Sequence, residues 1–291
     1  MRIDQLFRQD KPLLSCEIFP PKEFDRVEDV KRAADGLCAL RPAYVSVTYG
    51  AAGKTPRFTQ ELSEYVQQSG VPALNHLTCI NSPIGQVERV LDDLEGADVR
   101  NVLALRGDIP EGSAFPTEDR FFHASDLIAA IKKRGGFCVG AACYPEGHPE
   151  APDRDTDLTY LRGKQDAGAD FLTTQMFFDN NVLYQFLYRA LQKGITLPIA
   201  AGIMPVVNAR QIKRSCALSN ASLPPRFLTI IDRFGKDPDS MRQAGIAYAT
   251  EQIIDLIANG VEHIHLYTMN RPDVAAAIWN NLGGILGAEG R

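Results

Sequence analysis

The 291-residue sequence lacks the features that direct a protein into a membrane or out of the cell. No uninterrupted apolar segment is long enough to span a bilayer, and the N-terminus, Met1–Gln5, lacks the basic-then-apolar pattern of a signal peptide. The six cysteines are dispersed and include no Cys-Xaa-Xaa-Cys pair, so reduced thiols are expected rather than disulfides or a zinc site. We therefore expect a cytoplasmic protein without a membrane partner.

An excess of positive charge is also missing. The chain has 31 Lys and Arg against 36 Asp and Glu and shows no basic stripe, so nucleic acid is not expected as a partner. No Gly-Xaa-Gly-Xaa-Xaa-Gly fingerprint opens the chain, and neither a P-loop nor a Gly-Xaa-Ser-Xaa-Gly elbow occurs in it. These absences disfavour a Rossmann dehydrogenase, a P-loop enzyme and an esterase.

The sequence does contain a regular alternation of short apolar runs and amphipathic segments. The runs are apolar on both faces, which is typical of parallel strands covered by helices. The predicted strands are Leu13–Phe19, Ala43–Tyr49, Ala73–Thr78, Asn101–Leu105, Phe137–Tyr144, Asp170–Phe177, Pro198–Ile203 and Glu262–Thr268. The predicted helices are Val27–Leu40, Phe58–Gln68, Ile84–Glu95, Ala124–Arg134, Asp157–Ala167, Val182–Gln192, Ala209–Ser219 and Val274–Leu282.

Eight such strand–helix units favour closure into a barrel. An additional helical stretch, Ser240–Asn259, lies before the last strand and after a Pro-Pro turn at Pro224 and Pro225. No linker, composition shift or internal repeat divides the chain. The sequence therefore predicts an α/β fold, a single-domain (β/α)8 TIM barrel over residues 1–291 with an extra helix before the last strand. An open doubly wound sheet is the alternative.

Polar groups end several of these strands, and in a barrel the carboxyl ends of the strands meet on the face that carries the chemistry. The apolar run Leu103–Leu105 stops at Arg106, Gly107 and Asp108. Gly107 suits a tight turn or a close approach of the backbone to a ligand. Arg106 can hold a phosphate or carboxylate in its fork, and Asp108 can orient a heterocycle. A salt-bridged loop is the structural alternative.

Glu17 lies in an otherwise apolar strand, next to Ile18 and Phe19. Partial desolvation at the end of a barrel strand favours the protonated form of a carboxyl group, as a general acid near neutral pH requires. The alternative is a carboxylate paired with Lys22 or Arg106.

Two further segments carry groups suited to ligand binding. Tyr144–Glu150 is restricted by two prolines, so that it presents Tyr144 and His148 in a defined shape; an ordinary surface histidine is the alternative. Gln175 has amide donors and acceptors that can read the edge of a planar base, or that bond to its neighbours instead.

Three histidines on predicted strands are ambiguous. His263 and His265 place two imidazoles on one face of the last strand, but no convincing set of further ligands accompanies them. Packing or ligand contact is therefore favoured over metal binding, and no metal is expected. His76 is ambiguous in isolation.

Eight segments, in order along nearly the whole chain, together resemble the methylenetetrahydrofolate reductase family. They are Glu17–Lys22, Ser46–Ala51, His76–Cys79, Leu103–Asp108, Tyr144–Pro149, Thr174–Asp179, Gly202–Pro205 and Tyr267–Arg271. The resemblance implies a barrel that binds FAD, reduces it with NADH or NADPH, and then passes a hydride to 5,10-methylenetetrahydrofolate to give 5-methyltetrahydrofolate. The two substrates would use one site in turn, in ping-pong fashion, and a homo-oligomer is expected.

The resemblance also implies residue roles. Glu17 takes the role of the acid that helps to open the imidazolidine ring, and Asp108 lies near flavin and pterin, where its charge acts on both. The implied substrate-binding residues are Glu17, Gln175, Tyr267 and Arg271. The implied cofactor-binding positions are Thr48, His76, Leu105, Arg106, Gly107, Asp108, His123, Ala124, Ala142, Tyr144, His148, Asp157 and Lys164.

Two positions depart from the family pattern. Ser215 stands where several bacterial members place a substrate-stacking phenylalanine, and His123 stands where a tyrosine often lies beside the flavin. A non-catalytic or altered-specificity flavoprotein subunit is therefore a second interpretation, and a metal-dependent barrel hydrolase using His263 and His265 is a third. The choice between NADH and NADPH is left open.

Overall fold

A closed barrel of eight parallel strands forms the centre of the molecule. The computed structural model describes residues 1–9, 11–21, 26–49, 56–109 and 118–287. The strands are β1 (Leu13–Ile18), β2 (Val45–Val47), β3 (Ala73–Thr78), β4 (Asn101–Leu105), β5 (Cys138–Cys143), β6 (Phe171–Thr174), β7 (Ile199–Ile203) and β8 (His263–Tyr267). Each strand pairs with its neighbours along the chain, and β8 pairs with β1 and closes the ring. The predicted (β/α)8 barrel is confirmed, and the open sheet is not formed.

Helices flank the strands of this barrel. They are α1 (Ile3–Leu6), α2 (Val27–Cys38), α3 (Pro56–Gln68), α4 (Ile84–Gly96), α5 (Ala124–Arg134), α6 (Arg154–Asp166), α7 (Asn180–Gln192), α8 (Ala209–Ser219), α9 (Pro225–Phe234), α10 (Pro238–Ala258) and α11 (Pro272–Leu282). Within the described ranges, no helix combines the length and the apolar character needed to cross a membrane.

The strands are apolar on both faces because each face meets its own core. In β4, Val102 and Ala104 pack in the layer between strands and helices. Leu103, between them, packs inside the barrel with Leu74 of β3. Successive side chains of a strand point to opposite faces, so a strand buried on both sides reads as a continuous apolar run.

Helix α1 was not predicted, and it packs into the cluster at the amino ends of the strands. Its Ile3 and Leu6 join Tyr44 and Phe171 in the apolar cluster inside the barrel. The backbone N–H of Ile3 donates to Oδ1 of Asn101, 2.8 Å away. A four-residue helix is too short to show a 3.6-residue periodicity, so the sequence pattern carried no signal for it.

The predicted extra helix before β8 is confirmed as α10, and a further helix that the sequence did not predict, α9, lies between α8 and α10. Pro224 is the N-cap of α9 and Pro225 lies in its first turn, where a missing backbone N–H costs no hydrogen bond. Phe227 of α9 stacks on Phe178 with ring centroids 5.5 Å apart and packs against Tyr248 of α10. The Pro-Pro turn is thus the start of a helix.

Candidate active site

The carboxyl ends of the strands carry the predicted site residues. Glu17 is the penultimate residue of β1, Asp108 follows β4, Gln175 follows β6 and Tyr267 ends β8. Because the barrel is closed and all its strands are parallel, these ends form one rim. Glu17 and Tyr267 are register partners across the β1–β8 pair. The structure therefore places these sequence-predicted residues on one face of the barrel.

Glu17 faces histidines and a hydroxyl. Its side chain is 18% exposed, and its Oε2 lies 3.7 Å from Nε2 of His76 and 3.8 Å from Nε2 of His265. The hydroxyl of Ser46 donates to the same oxygen at 3.5 Å. The pairing with Arg106 that was considered as an alternative is not formed, since Arg106 pairs elsewhere, and Lys22 lies outside the described residues, as do Gly50 and Ala51.

His265 lies between two buried serine hydroxyl groups inside the barrel. Its Nδ1 is 2.7 Å from Oγ of Ser15, and its Nε2 is 3.1 Å from Oγ of Ser46. Its ring stacks on Tyr44 at a centroid distance of 5.6 Å. Sequence reasoning considered His265 only for metal binding, packing or ligand contact. Its position two residues before Tyr267 on β8, on the same face, was the available signal that it belongs to the site.

His76 is buried beside Glu17 with an unused ring nitrogen. Nε2 of His76 has no hydrogen-bond partner among the residues that the structure describes. Burial lowers the pKa of His76 to about 4, against the charge of Glu17, which acts to raise it. His76 is therefore an uncharged imidazole at neutral pH.

The histidine pair on β8 does not form a metal site with other described residues. No group of three His, Cys, Asp or Glu side chains in the described ranges is arranged to hold a metal ion. His263 instead packs against Phe7, with ring centroids 4.5 Å apart, at the amino end of the barrel. The hydrolase interpretation thus finds no ligand set in the described part of the chain.

Arg106 sits in a salt-bridged loop, as the structural alternative proposed, but its partner is Glu150. Its Nη1 and Nη2 donate to the two carboxylate oxygens of Glu150 at 2.5 and 2.7 Å, and its Nε donates to the carbonyl of Gly107. Gly107 has φ of 87°, and a Cβ there would lie 2.9 Å from Cβ of Thr78. A larger residue at position 107 would therefore be strained.

A second cation, Lys164 of α6, interacts electrostatically with Arg106. Nζ of Lys164 donates to the carbonyl of Ala142 at 2.8 Å, and burial lowers the pKa of this lysine. Asp157 accepts the backbone N–H of His148 at 3.2 Å, and burial raises the pKa of the Asp157 carboxyl. We call Arg106 and Lys164 the cation pair.

The cation pair fits an anionic group. Lys164 is desolvated and donates to a neutral carbonyl, so it gains from a negative charge in addition to that of Asp157. The guanidinium of Arg106 offers more N–H donors than Glu150 uses. The adjoining loop is ordered by packing, since His148 lies edge-on to Tyr144 at a ring-centroid distance of 4.6 Å. Burial raises the pKa of Tyr144 to about 12, so its phenol stays protonated.

The remaining predicted cofactor positions lie around the same rim. Thr48 follows β2, Leu105 ends β4, Ala142 lies in β5, and His123 and Ala124 begin α5. His123 is exposed, and its backbone N–H donates to Asp126 at 2.9 Å. Asp108 is exposed, and its carbonyl accepts from Nδ2 of Asn81 at 2.7 Å.

The predicted substrate-binding residues Gln175 and Arg271 also bond within the protein through at least one polar atom. Oε1 of Gln175 accepts the backbone N–H of Met176 at 2.9 Å. This glutamine thus bonds to its neighbour, which was the alternative to ligand binding. Arg271 is exposed and donates through Nε and Nη2 to both oxygens of Asp273 at 2.9 Å. Ser215 is partly buried in α8, where its carbonyl accepts from the hydroxyl of Ser219.

The barrel is similar to solved structures. One, described as an uncharacterized protein from Clostridium thermocellum that binds two copies of 5-methyl-5,6,7,8-tetrahydrofolic acid, superposes with a TM-score of 0.68 at 13% identity. The likeness covers 95% of this chain and 96% of that one. At this identity the likeness supports the fold alone.

Sequence comparison is more specific. The chain is 35% identical over 271 residues to the 5,10-methylenetetrahydrofolate reductase of Pectobacterium carotovorum subsp. carotovorum, covering 93% of this chain and 90% of that protein. It is 34% identical to methylenetetrahydrofolate reductase (NADH) 1 of Arabidopsis thaliana, and spans only half of that longer relative. Residues 2–283 match the family described as methylenetetrahydrofolate reductase. The chain belongs to the methylenetetrahydrofolate reductase family.

Proposed function

We propose that the protein reduces 5,10-methylenetetrahydrofolate to 5-methyltetrahydrofolate, with FAD as cofactor and NADH or NADPH as electron donor. Family membership over residues 2–283 supports the reaction. Relatives named for NADH and for NADPH both match, so the donor is left as either nucleotide. The observation that carries the proposal is that the carboxyl group of Glu17 lies on the same barrel rim as the cation pair.

Arg106 and Lys164 would hold the diphosphate of FAD. Their two positive charges match a dianion, and partial burial of both side chains strengthens the attraction. The ordered loop with Tyr144 and His148, and the backbone at Gly107, would line the same cofactor. When bound, the flavin supplies two-electron transfer between the two substrates, which use the site in turn.

Glu17 would act as the acid in the folate half of the reaction. It gives its proton to the imidazolidine nitrogen whose bond to the methylene carbon breaks, and the electron pair of that bond stays on the nitrogen. The nearby His76 is neutral, so it does not form an ion pair with the Glu17 carboxyl group. The charge of Asp108 would favour the cationic iminium that remains.

The test follows the colour of the purified protein. We expect yellow protein, or protein that turns yellow when FAD is added, whose absorbance bleaches with NADH or NADPH without oxygen and recovers when methylenetetrahydrofolate is added. Protein that neither contains nor takes up FAD overturns the proposal. Bleaching without recovery indicates an altered-specificity flavoprotein, the second interpretation, which is based on Ser215 and His123.

A homo-oligomer in the cytoplasm is part of the same proposal, and it rests on the family likeness. Light scattering on the purified full chain tests the first point. A mass of 32.0 kDa, that of the single chain, would contradict it.

A further inference from the structure

Thr174, the last residue of β6, is held by hydrogen bonds from two other strands, β7 and β8. The carbonyl of Thr174 accepts the phenol proton of Tyr267 in β8 at an O···O distance of 2.5 Å. Its hydroxyl Oγ1 accepts the backbone N–H of Gly202 in β7 at 2.8 Å. Thr174 is fully buried. We call these three residues the β6 anchor.

Gly202 makes this anchor possible. Strand β7 lies between β6 and β8, so the Tyr267 ring must cross it to reach Thr174. A Cβ on Gly202 would lie 2.5 Å from the Thr174 carbonyl oxygen and 2.6 Å from Cε2 of Tyr267. Both distances are too short for van der Waals contact, so a side chain at position 202 would displace the ring or the strand.

Gln175 follows the anchor directly and is held by further bonds. Its backbone N–H donates to the carbonyl of Cys143 in β5 at 2.8 Å. Its Oε1 accepts the N–H of Met176. The side-chain NH2 group of Gln175 is therefore the group that can donate to a ligand. The direction of that NH2 group depends on the backbone at Thr174 and Gln175.

We propose that Tyr267 is a positioning residue, which fixes the end of β6 and thereby aims the amide of Gln175, instead of binding the ligand through its own hydroxyl. The phenol has one proton, and the Thr174 carbonyl accepts it. Burial raises the pKa of Tyr267, so this donor keeps its proton at neutral pH. The inference rests on the proposed function only in taking Gln175 as a ligand contact.

A double-mutant cycle on ligand binding tests the connection. The dissociation constant of 5-methyltetrahydrofolate is measured for wild type, Tyr267→Phe, Gln175→Ala and the double variant. Loss of one well-placed hydrogen bond typically weakens binding about three- to tenfold, and we expect each single variant to fall in that range. If Tyr267 acts through Gln175, then Tyr267→Phe has no further effect in the Gln175→Ala background. If the fold-changes of the two single variants instead multiply in the double variant, the proposal is overturned.

A ligand-free measurement keeps the anchor testable if the proposed function fails. Hydrogen–deuterium exchange at the backbone amides of Gln175 and Met176 is compared between wild type and Tyr267→Phe. We expect exchange to be about three- to tenfold faster in the variant, because one hydrogen bond holding this segment is gone. Unchanged exchange at both residues overturns the proposal, whatever the ligand turns out to be.

Tyr248→Phe is the matched control. The Tyr248 hydroxyl donates to the carbonyl of Phe178 at 2.6 Å, so it makes the same kind of bond to the same β6–α7 connection, from α10. We expect this variant to leave both the folate dissociation constant and the exchange at Gln175 unchanged. An equal effect of the two phenylalanine variants would show a general loosening of the connection and would also overturn the specific role of Tyr267.

Discussion

Oε2 of Glu17 lies 3.7 Å from Nε2 of His76, a buried nitrogen with no hydrogen-bond partner among the described residues. Burial holds this imidazole neutral at pH 7 by lowering its pKa, so the proposed acid faces an uncharged ring and not a fixed cation. A neighbouring Arg or Lys would instead favour the ionised carboxylate. The carboxyl group of Glu17 therefore has a neutral imidazole, and not a cation, at this distance.

Glu17→Gln should separate the two halves of the proposed reaction. The amide keeps the size of the side chain but has no acidic proton, so we expect reoxidation of the flavin by methylenetetrahydrofolate to slow by about 10²- to 10⁴-fold. Reduction of the flavin by NADH or NADPH should persist, and it serves as the internal control. Both rates are measured by anaerobic stopped-flow absorbance. An equal loss in the two half-reactions would count against the acid role.

His76 should make the folded state less stable in acid. Its pKa is about 4 in the folded protein against 6.5 as its ordinary value, so between these pH values the unfolded chain binds a proton that the folded chain does not. The free energy of unfolding should therefore fall as the pH drops from 6.5 to 4, by up to about 3 kcal/mol from this residue. Denaturant unfolding at several pH values measures the fall.

The matched variants are His76→Gln and His123→Gln. The first removes the buried imidazole, so its stability should change less between pH 6.5 and pH 4 than that of wild type. The second alters an exposed histidine and should follow wild type. The same acid sensitivity in all three proteins would show that His76 is not its source.

Arg106→Met should weaken FAD binding. Hydrogen bonds to charged groups are worth about 1.5–3 kcal/mol, which corresponds to a dissociation constant higher by about ten- to hundredfold. Quenching of flavin fluorescence on titration with protein measures the constant. Arg100→Met is the control, since Arg100 precedes the same strand at its other end and pairs with Glu95. Equal constants for the two variants would remove Arg106 from the proposed cofactor site.

Gly202→Ala should destabilise the protein by about 1–3 kcal/mol, the usual range for a side chain forced into a packed site. The added methyl group would meet the Thr174 carbonyl and the Tyr267 ring. Gly163→Ala in α6 is the control, because a Cβ there meets nothing within 4 Å, and alanine favours the helix by about 0.5–1 kcal/mol. The stabilities of the two variants and wild type are compared by their midpoints of denaturant unfolding. A Gly202→Ala protein as stable as wild type would contradict the close crossing at β7.

The strands were predictable because their signal is local. The bounds of β3 and β4 match the predicted Ala73–Thr78 and Asn101–Leu105. The predicted Ala43–Tyr49 was too long, since β2 covers only Val45–Val47. Apolar residues continue beyond the point where strand pairing stops, and pairing depends on the neighbouring strand, which a single run does not show.

The chain pattern was less informative where a segment is short or begins with proline. Helix α1 has only four residues, and α9 begins at Pro225, in a Pro-Pro pair whose pattern predicts a turn. Both segments bury apolar residues against parts of the chain distant in sequence: Leu6 against Phe171, and Phe227 against Phe178. Packing of this kind decides whether such a helix forms.

The sequence alone determined the alternation of strands and helices, because apolar periodicity is a local property. With it, the sequence determined the rim on which Glu17, Asp108 and Gln175 lie, because the closure of parallel strands places every carboxyl end on one side of the barrel. Only the tertiary structure decided the partners on that rim: His76 beside Glu17, and the phenol of Tyr267 on Thr174. Such contacts depend on distances between residues far apart in the chain, and barrel closure sets those distances.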